Sequence, residues 1–285
     1  MVEFVDKLTW GVVGVGRAGR ARAEAIYGDS RCELVGVSRG RFSAEFDVPE
    51  LPLIDLLCQA DAVAICSPTA YHGDQIRAAL DAGCQTVVEF PITHRASEAN
   101  ELFELAQSKG LMLHVAHIEL LLGWHQRLRE SLNGELKIVM RMTKRGSGLE
   151  TLEELFGACV ARLHNISDLS PIMAVGKAHW SPGCLELALI LESGDASLTI
   201  RSAPNLSRQT ELDVQDKSAM WTVRGRRLYR AGKEEPVSKH PLFDQDHQRV
   251  MACLGEELEP YVTVRRTLEV LEHVETIRAL LEQPS

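Results

Sequence analysis

The rhythm of apolar and polar positions changes twice along the chain. Over the first 120 residues, continuous apolar runs alternate with stretches at helical spacing. Leu8 to Val13, Glu33 to Ser38, Ala62 to Cys66, Thr86 to Glu89 and Leu111 to His114 read as strands. Arg17 to Tyr27, Leu53 to Cys58, Ala70 to Ala82 and Ala96 to Lys109 read as helices, the last two closed by Gly83 and Gly110. Strands without internal alternation, separated by helices, predict a parallel sheet covered on both faces.

After about residue 120 the period becomes two. A helix over Leu121 to Leu132, stopped by Asn133-Gly134, leads into Leu136 to Thr143. There Leu136, Ile138, Met140 and Met142 share one face, and Lys137, Val139, Arg141 and Thr143 the other. Leu185 to Leu191, Ala196 to Ser202, Glu211 to Val214 and Met220 to Arg224 follow as half-buried strands, and a helix between Leu155 and Leu169 interrupts them. That pattern predicts an antiparallel sheet with one open face. Val264, Leu268, Leu271, Val274, Ile277 and Leu281 then return to helical spacing. The expected class is α/β: an N-terminal doubly wound parallel sheet over residues 1–120, then an α+β domain with a mostly antiparallel open sheet over 121–242. Helices over 243–285 are expected to pack back toward the first domain.

Composition narrows the picture by exclusion. A net charge of -9 argues against a general nucleic-acid or anionic-membrane binder. No apolar run approaches the ~18 residues of a membrane span. The opening Met1-Val2-Glu3-Phe4-Val5-Asp6 lacks a signal-peptide hydrophobic region. The seven cysteines are scattered and form no CxxC pair, which predicts reduced thiols in a cytoplasmic protein.

Chemistry enters at Gly14-Val15-Gly16-Arg17-Ala18-Gly19, a G-x-G-x-x-G turn between a predicted strand and a predicted helix. Its first glycine permits the tight turn, its second lets pyrophosphate approach the backbone, and its third lets helix and strand pack closely. Gly14, Gly16, Arg17, Ala18 and Gly19 are therefore candidate dinucleotide contacts, with helix amides facing the phosphates. The second strand ends Gly36-Val37-Ser38-Arg39-Gly40-Arg41, without the carboxylate that binds the ribose of NAD. Ser38 can donate a hydrogen bond, and Arg39 with Arg41 can clamp a 2′-phosphate, so NADP(H) is favoured as cofactor. The plainer alternative is a pair of solvated loop arginines.

Asp61 to Thr69 followed by His72, then Gly83, Val87-Val88-Glu89-Phe90-Pro91 and His164-Asn165-Ile166 with Asp168, resembles the glucose-fructose oxidoreductase/inositol dehydrogenase family. The resemblance implies a Rossmann first domain and carries cofactor contacts onto Ser67, Pro68, His72 and Glu89. That family's hydroxyl–ketone chemistry usually relies on a lysine at the middle of the later triplet. Here the position holds Phe90; Val160 stands at the second-domain motif's aspartate and Arg162 at its glycine. Ordinary sugar dehydrogenation is therefore not expected.

The family's biliverdin reductase branch is similar at Gly11 to Gly19, Val37-Ser38-Arg39, Ile65-Cys66-Ser67, Val88 to Thr93, His114 with His117 to Leu121, Arg162-Leu163 and Asp244-Gln245. This resemblance implies NADPH-dependent reduction of a biliverdin IXα-like linear tetrapyrrole to its bilirubin. Hydride would go to the central methine carbon and a proton to a pyrrole nitrogen. No hydroxyl is deprotonated, so no lysine base is needed. Phe90, His117, Glu119 and Arg162 become candidate substrate contacts, and Arg162, His164 and Glu89 candidate catalytic residues.

Arg162 is a poor free proton donor, with an unperturbed pKa above about 12, and is better suited to orienting a water or a propionate. Its plainer reading is a salt bridge to a carboxylate. His164 titrates in a more useful range, yet on a regular helix positions 162 and 164 point about 200° apart. Its plainer reading is a core or capping histidine. His114, His117 and Glu119 could suggest metal ligands, but no further cluster supports them, and no metal is expected. Arg201, Arg224, Arg226, Arg227 and Arg230 on the second sheet offer sites for propionates, or simply a solvated basic face. Those strands could also join copies of the chain in a homo-oligomer. Two other functions stay open: an NADP-dependent oxidoreductase of another carbonyl or sugar-like substrate, and a non-catalytic NADP-binding sensor.

Overall fold

A computed structural model describes residues 7–14, 16–39, 43–146, 149–166, 172–181, 183–191 and 194–281. Arg41 and Asp168 fall outside these residues. The chain forms two compact units that do not follow its order: unit 1 is Met1–Ile118 with Pro241–Leu268, and unit 2 is Glu119–His240 with Glu269–Ser285.

Unit 1 contains strands β1 (Leu8–Val13), β2 (Cys32–Ser38), β3 (Ala62–Ile65), β4 (Gln85–Glu89) and β5 (Leu113–Ala116). All pair in parallel, in the order β2-β1-β3-β4-β5. Every side chain of β3 is buried, as expected of a strand covered on both faces. Helices α1 (Arg17–Tyr27), α2 (Ser43–Phe46), α3 (Leu53–Leu57), α4 (His72–Asp81) and α5 (Ala96–Lys109) connect the strands. Strand order reverses between β1 and β3, and ligands of such sheets bind beyond the carboxyl ends of the strands at that point. The core gathers Trp10, Val12, Ile26, Val37, Ala64 and Val87 with Val250 and Met251. The last two arrive from the far end of the chain.

Unit 2 carries α6 (Gly123–Ser131), β6 (Leu136–Arg145), α7 (Leu149–Ile166), β7 (Ile172–Ser181), β8 (Cys184–Leu191), β9 (Gly194–Ala203), β10 (Gln209–Gln215), β11 (Met220–Arg224), β12 (Arg227–Arg230) and β13 (Lys233–Glu235). They form one eight-stranded sheet, β13-β12-β11-β10-β6-β9-β8-β7. Pairing is antiparallel throughout except for β6 with β9, which run parallel from Leu136↔Gly194 to Arg145↔Ala203. The alternation in β6 buries Leu136, Ile138, Met140 and Met142, and α7 packs on β6 and β9.

Several local expectations need correction. The helix expected over Leu121 to Leu132 is a 3-10 turn at Ile118–Leu121 followed by α6, because Leu122 at ψ 128° interrupts the helical backbone. Strand β7 escaped notice because its register shifts twice against β8, between Ile172 and Ala174 and between Val175 and Lys177, which destroys period-two alternation. Strands β12 and β13 are charged edge strands, Arg-Leu-Tyr-Arg and Lys-Glu-Glu, with little apolar signal.

The chain ends in α8 (Leu242–Leu254), which packs on α1 in unit 1, and α9 (Val264–Leu281), which the unit boundary divides after Leu268. Among the described residues no helix is long and apolar enough to cross a membrane.

Candidate active site

The glycine turn is built for close approach. Gly14 stands at φ 88° with its space closed: a Cβ there would meet the Ser67 backbone nitrogen at 2.5 Å. A Cβ on Gly19 would meet the Gly14 carbonyl at 1.9 Å, so helix and strand touch backbone to backbone. Around Gly16 the space is open, with nothing within 4 Å of where a Cβ would lie. Helix α1 starts there without a side-chain cap and without an acidic residue in its first turn. Its leading amides thus keep their positive end for an anion. Open space at the second glycine, uncapped amides and sealed first and third glycines fit a dinucleotide pyrophosphate.

At the end of β2, Ser38 is buried and its carbonyl accepts from the Gly14 amide at 2.9 Å. Arg39 is exposed, at φ 63°, with its guanidinium 5.2 Å from the centre of the Tyr71 ring. A non-glycine residue in the left-handed region is uncommon and gathers at ligand clamps. Tyr71 lies inside the matched Asp61–His72 stretch but drew no notice, because an exposed tyrosine beside a helix start has no motif of its own.

The ends of β3 and β4 are tied together by His72. Its Nδ1 lies 2.9 Å from the Pro91 carbonyl oxygen and its Nε2 2.7 Å from that of Ser67. Burial pushes this imidazole below its ordinary pKa, while the backbone oxygens pull it up. Ser67 Oγ donates to Gln75 Oε1 at 2.5 Å, and Pro68 is exposed. His72 thus spans from Ser67, after β3, to the triplet, whose Phe90-Pro91 peptide bond is cis.

Glu89 is anchored. Its Oε1 accepts from Arg22 Nε at 3.2 Å and Nη2 at 2.9 Å. The same guanidinium donates through Nη1 to Asp246 and lies over the Phe243 ring at 5.0 Å. Asp246 Oδ1 also meets His114 Nε2 at 3.1 Å and the Tyr261 hydroxyl at 2.6 Å. Burial pushes the Glu89 carboxyl up, against the pull of Arg22. Asp246 is buried too, yet the Arg22 guanidinium and His114 hold it well below the carboxylate range. Sequence reading noted His114 and the neighbouring Asp244-Gln245 but missed Arg22 and Asp246. A separation of 224 residues leaves no local signal.

Phe90 packs its ring on His117, with centroids 4.4 Å apart and planes tilted by 35°. Burial, helped by the neighbouring His114, drives the His117 pKa down to about 3. At neutral pH it is therefore an uncharged ring, and its buried Nε2 has no hydrogen-bond partner among the described residues.

In unit 2, Arg162 is buried on α7 and donates through Nη2 to Glu119 Oε2 at 2.6 Å. Its Nη1 lies 3.2 Å from Met142 Sδ, its Nε has no partner among the described residues, and the guanidinium stands 5.6 Å from the Trp124 ring centre. The other oxygen of Glu119 lies 2.5 Å from Arg208. Two residues read separately as substrate contacts are thus paired with each other. His164 has different neighbours: its ring stacks on His273 at 5.6 Å and its Nδ1 lies 3.8 Å from Glu269. Helix α7 runs unbroken through both positions, so Arg162 and His164 serve different surroundings. Val160 is fully buried in the same helix.

Of the sheet arginines, Arg224 pairs with Asp213 at 2.7 Å, Arg227 reaches Glu234 at 3.9 Å and Arg230 lies over Trp221 at 5.1 Å. Arg201 and Arg226 are exposed.

This turn on this sheet defines a dinucleotide-binding Rossmann unit, and comparison with known proteins makes it that of an NAD(P)-dependent oxidoreductase. Residues 8–117 match the GFO_IDH_MocA model, described as an oxidoreductase family with an NAD-binding Rossmann fold. Biliverdin reductase A of Mus musculus is 38% identical over 226 residues, 73% of this chain and 75% of that protein. UDP-N-acetylglucosamine 3-dehydrogenase of Acidithiobacillus ferrooxidans is 34% identical over 128 residues, 42% of this chain and 40% of that protein. Among solved structures, biliverdin reductase of Synechocystis sp. PCC 6803, in complex with biliverdin and NADP+, superimposes with a TM-score of 0.77 at 24% identity, covering 96% of this chain and 98% of that one. The Acidithiobacillus dehydrogenase gives a TM-score of 0.83 at 19% identity, covering 96% and 97%. At those identities the structural likeness is one of fold. The chain belongs to the GFO/IDH/MocA family of oxidoreductases.

Proposed function

We propose that this protein uses NADPH to reduce biliverdin, or a closely similar linear tetrapyrrole, to the corresponding rubin. One observation carries the reading. At the end of β4, between Glu89 and cis-Pro91, stands Phe90, packed against a histidine that burial keeps uncharged. A side chain that takes a proton from a hydroxyl is missing from that position, and a flat apolar wall replaces it. Such a wall suits a conjugated pigment and would make a charged group costly to desolvate. The 38% identity to a protein named biliverdin reductase A supports the same substrate. For the cofactor, Ser38 and Arg39 in place of an acidic residue favour NADPH, as does the NADP+ in the Synechocystis complex.

Bound NADPH supplies the hydride that the central methine carbon accepts. The chain's residues do the rest. Gly14 to Gly19 seat the pyrophosphate, Arg39 faces the 2′-phosphate, and Ser67, Pro68 and His72 hold the turn beside them. Glu89, fixed by Arg22, lines the cofactor side and takes no proton. Phe90 and His117 provide the flat contact. We assign to Arg162 the orientation of a water or a propionate that delivers the proton to the pyrrole nitrogen, and to Glu119 the fixing of that guanidinium. His164, beside Glu269, is the second candidate donor. The open face of the eight-stranded sheet is the surface we assign to self-association, and the scatter of free cysteines suits a cytoplasmic setting.

The test is to mix purified protein with NADPH and biliverdin. Green-to-yellow conversion supports the reading; tight NADPH binding without a spectral change overturns it. The match to a UDP-sugar dehydrogenase keeps one rival in view. Reduction of NADP+ or NAD+ by a UDP-sugar, with biliverdin inert, would establish that rival instead.

A further inference from the structure

We propose that Asp29, Cys32 and His247 of unit 1 form a binding site for a zinc-type divalent metal ion. The three come from the turn after α1, the first residue of β2 and the middle of α8. The inference is independent of the substrate reading above, because none of the three belongs to that machinery.

Geometry comes first. His247 Nε2 lies 3.2 Å from Asp29 Oδ2 and 3.7 Å from Cys32 Sγ. The three ligand atoms lie within 4.8 Å of one another. Zinc bonds of about 2.0–2.3 Å at tetrahedral angles place donor atoms about 3.3–3.7 Å apart. The ion can therefore enter with small side-chain shifts. Met251 Sδ stands 3.7 Å from Cys32 Sγ, a soft neighbour for the fourth position.

Charge and surroundings agree with the geometry. Thiol, imidazole and carboxylate are the usual zinc donors. One thiolate, one carboxylate and one neutral imidazole match the charge of a divalent ion, and Arg31, bonded to the same carboxylate from the more exposed side, adds one positive charge. Cys32 and His247 are 4% and 2% exposed. Binding converts the thiol to a metal-bound thiolate and releases one proton to solvent. Arg31 donates to Asp29 Oδ1 from its backbone amide and from Nε, each at 3.0 Å, which orients the carboxylate as outer-shell partners of metal sites do. Asp29 Oδ2 also accepts from Arg31 Nη2 at 2.6 Å and Gln248 Nε2 at 3.1 Å, and the metal would take over that oxygen. The Trp10 ring packs edge-on against His247 at 5.6 Å and steadies its plane. Because Cys32 and His247 stand 215 positions apart, the ion would clip helix α8 onto β2.

The test uses the full chain, stripped of metal and titrated with Co2+, then with Zn2+. The expected result is a thiolate-to-cobalt charge-transfer band saturating at one equivalent and displaced by Zn2+. Tryptophan emission should be quenched in parallel, and Trp10→Phe should reduce that quenching. Cys32→Ala should abolish the band, Cys253→Ala should retain it, and His247→Gln should weaken binding by more than the ~10–100-fold typical of outer-shell losses. Zn2+ should raise the Tm of the wild-type chain by mass action. No band with the wild-type chain, or a band unchanged in folded Cys32→Ala, overturns the proposal. Should Cys32→Ala fail to fold, the wild-type titration and His247→Gln decide it.

Discussion

Arg22 and Arg162, both buried, are set in different electrostatic surroundings. In unit 1, Arg22 is shared by two carboxylates, Glu89 and Asp246, with side-chain exposures of 17% and 0% against its own 2%. In unit 2, Arg162 shares Glu119 with Arg208. Arg208 in turn reaches Glu154 at 3.8 Å, which Lys144 also grips. One guanidinium serves two carboxylates there, with His114 also on Asp246, and the cluster is closed on itself. Three cations for two carboxylates leave positive charge to spare. The first arrangement suits a strut that fixes Glu89 at the end of β4. The second suits reception of an anionic group such as a propionate.

The largest expected effect breaks the strut. Arg22→Met leaves two carboxylates facing each other without a cation and should cost ~3–5 kcal/mol, the usual result of removing one partner from a buried ion pair. Urea denaturation measures it, and Arg22→Met combined with Asp246→Leu should recover part of the loss. A cost below ~1 kcal/mol would show that Arg22 is no strut. Arg162→Gln should behave in the opposite sense. Glu119 keeps Arg208, so stability falls less, while kcat/KM for biliverdin drops ~10–100-fold, or ~1.4–2.7 kcal/mol. Loss of stability with unchanged turnover would make the two arginines alike and remove Arg162 from the reaction.

This contrast explains what was legible in the sequence. The parallel sheet could be read because β1 and β3 are buried on both faces and their apolar runs are continuous. The direction of β6 against β9 could not, since alternation reports which face is buried and is silent on orientation. The glycine turn was readable because its geometry lies within six residues. Glu119 and Arg162 were both noticed as candidates, yet nothing local pairs residues 43 apart, and Arg22 with Asp246 left no trace at all. Clusters of buried charge are made by the fold and become visible only with it.

Titration supplies a smaller effect with a sign that can be worked out. His117 in unit 1 and His125 in unit 2 are each lowered to about 3, in both cases first by burial. The native state therefore prefers the neutral rings. Their contribution is full above the unfolded histidine value of about 6.5 and is lost as pH falls toward about 3. Asp246, held low by Arg22, adds loss of the same sign at the acid end. Glu89 is raised and acts oppositely, favouring the fold as it protonates. Unfolding free energy measured from pH 7 to pH 4 should decline. His117→Gln should flatten the decline, and an equally steep curve in that variant would contradict the neutral, buried ring beside Phe90.

The smallest effect concerns a third arginine setting. Among the described residues Arg39 has no carboxylate partner; it is exposed, stacked on Tyr71 and held at φ 63°. It is unit 1's counterpart to the spare charge around Arg162, displayed at the surface. Arg39→Gly removes the charge at a backbone conformation that glycine adopts freely, so the variant should fold without penalty. One charge-assisted contact of ~1.4 kcal/mol predicts a KM for NADPH about tenfold higher, with the KM for NADH unchanged. Both values rising together would mean that Arg39 works by stacking with Tyr71 on a part common to both cofactors. A neutral outcome for both would return Arg39 to the class of solvated loop arginines and leave Ser38 alone to account for the choice of cofactor.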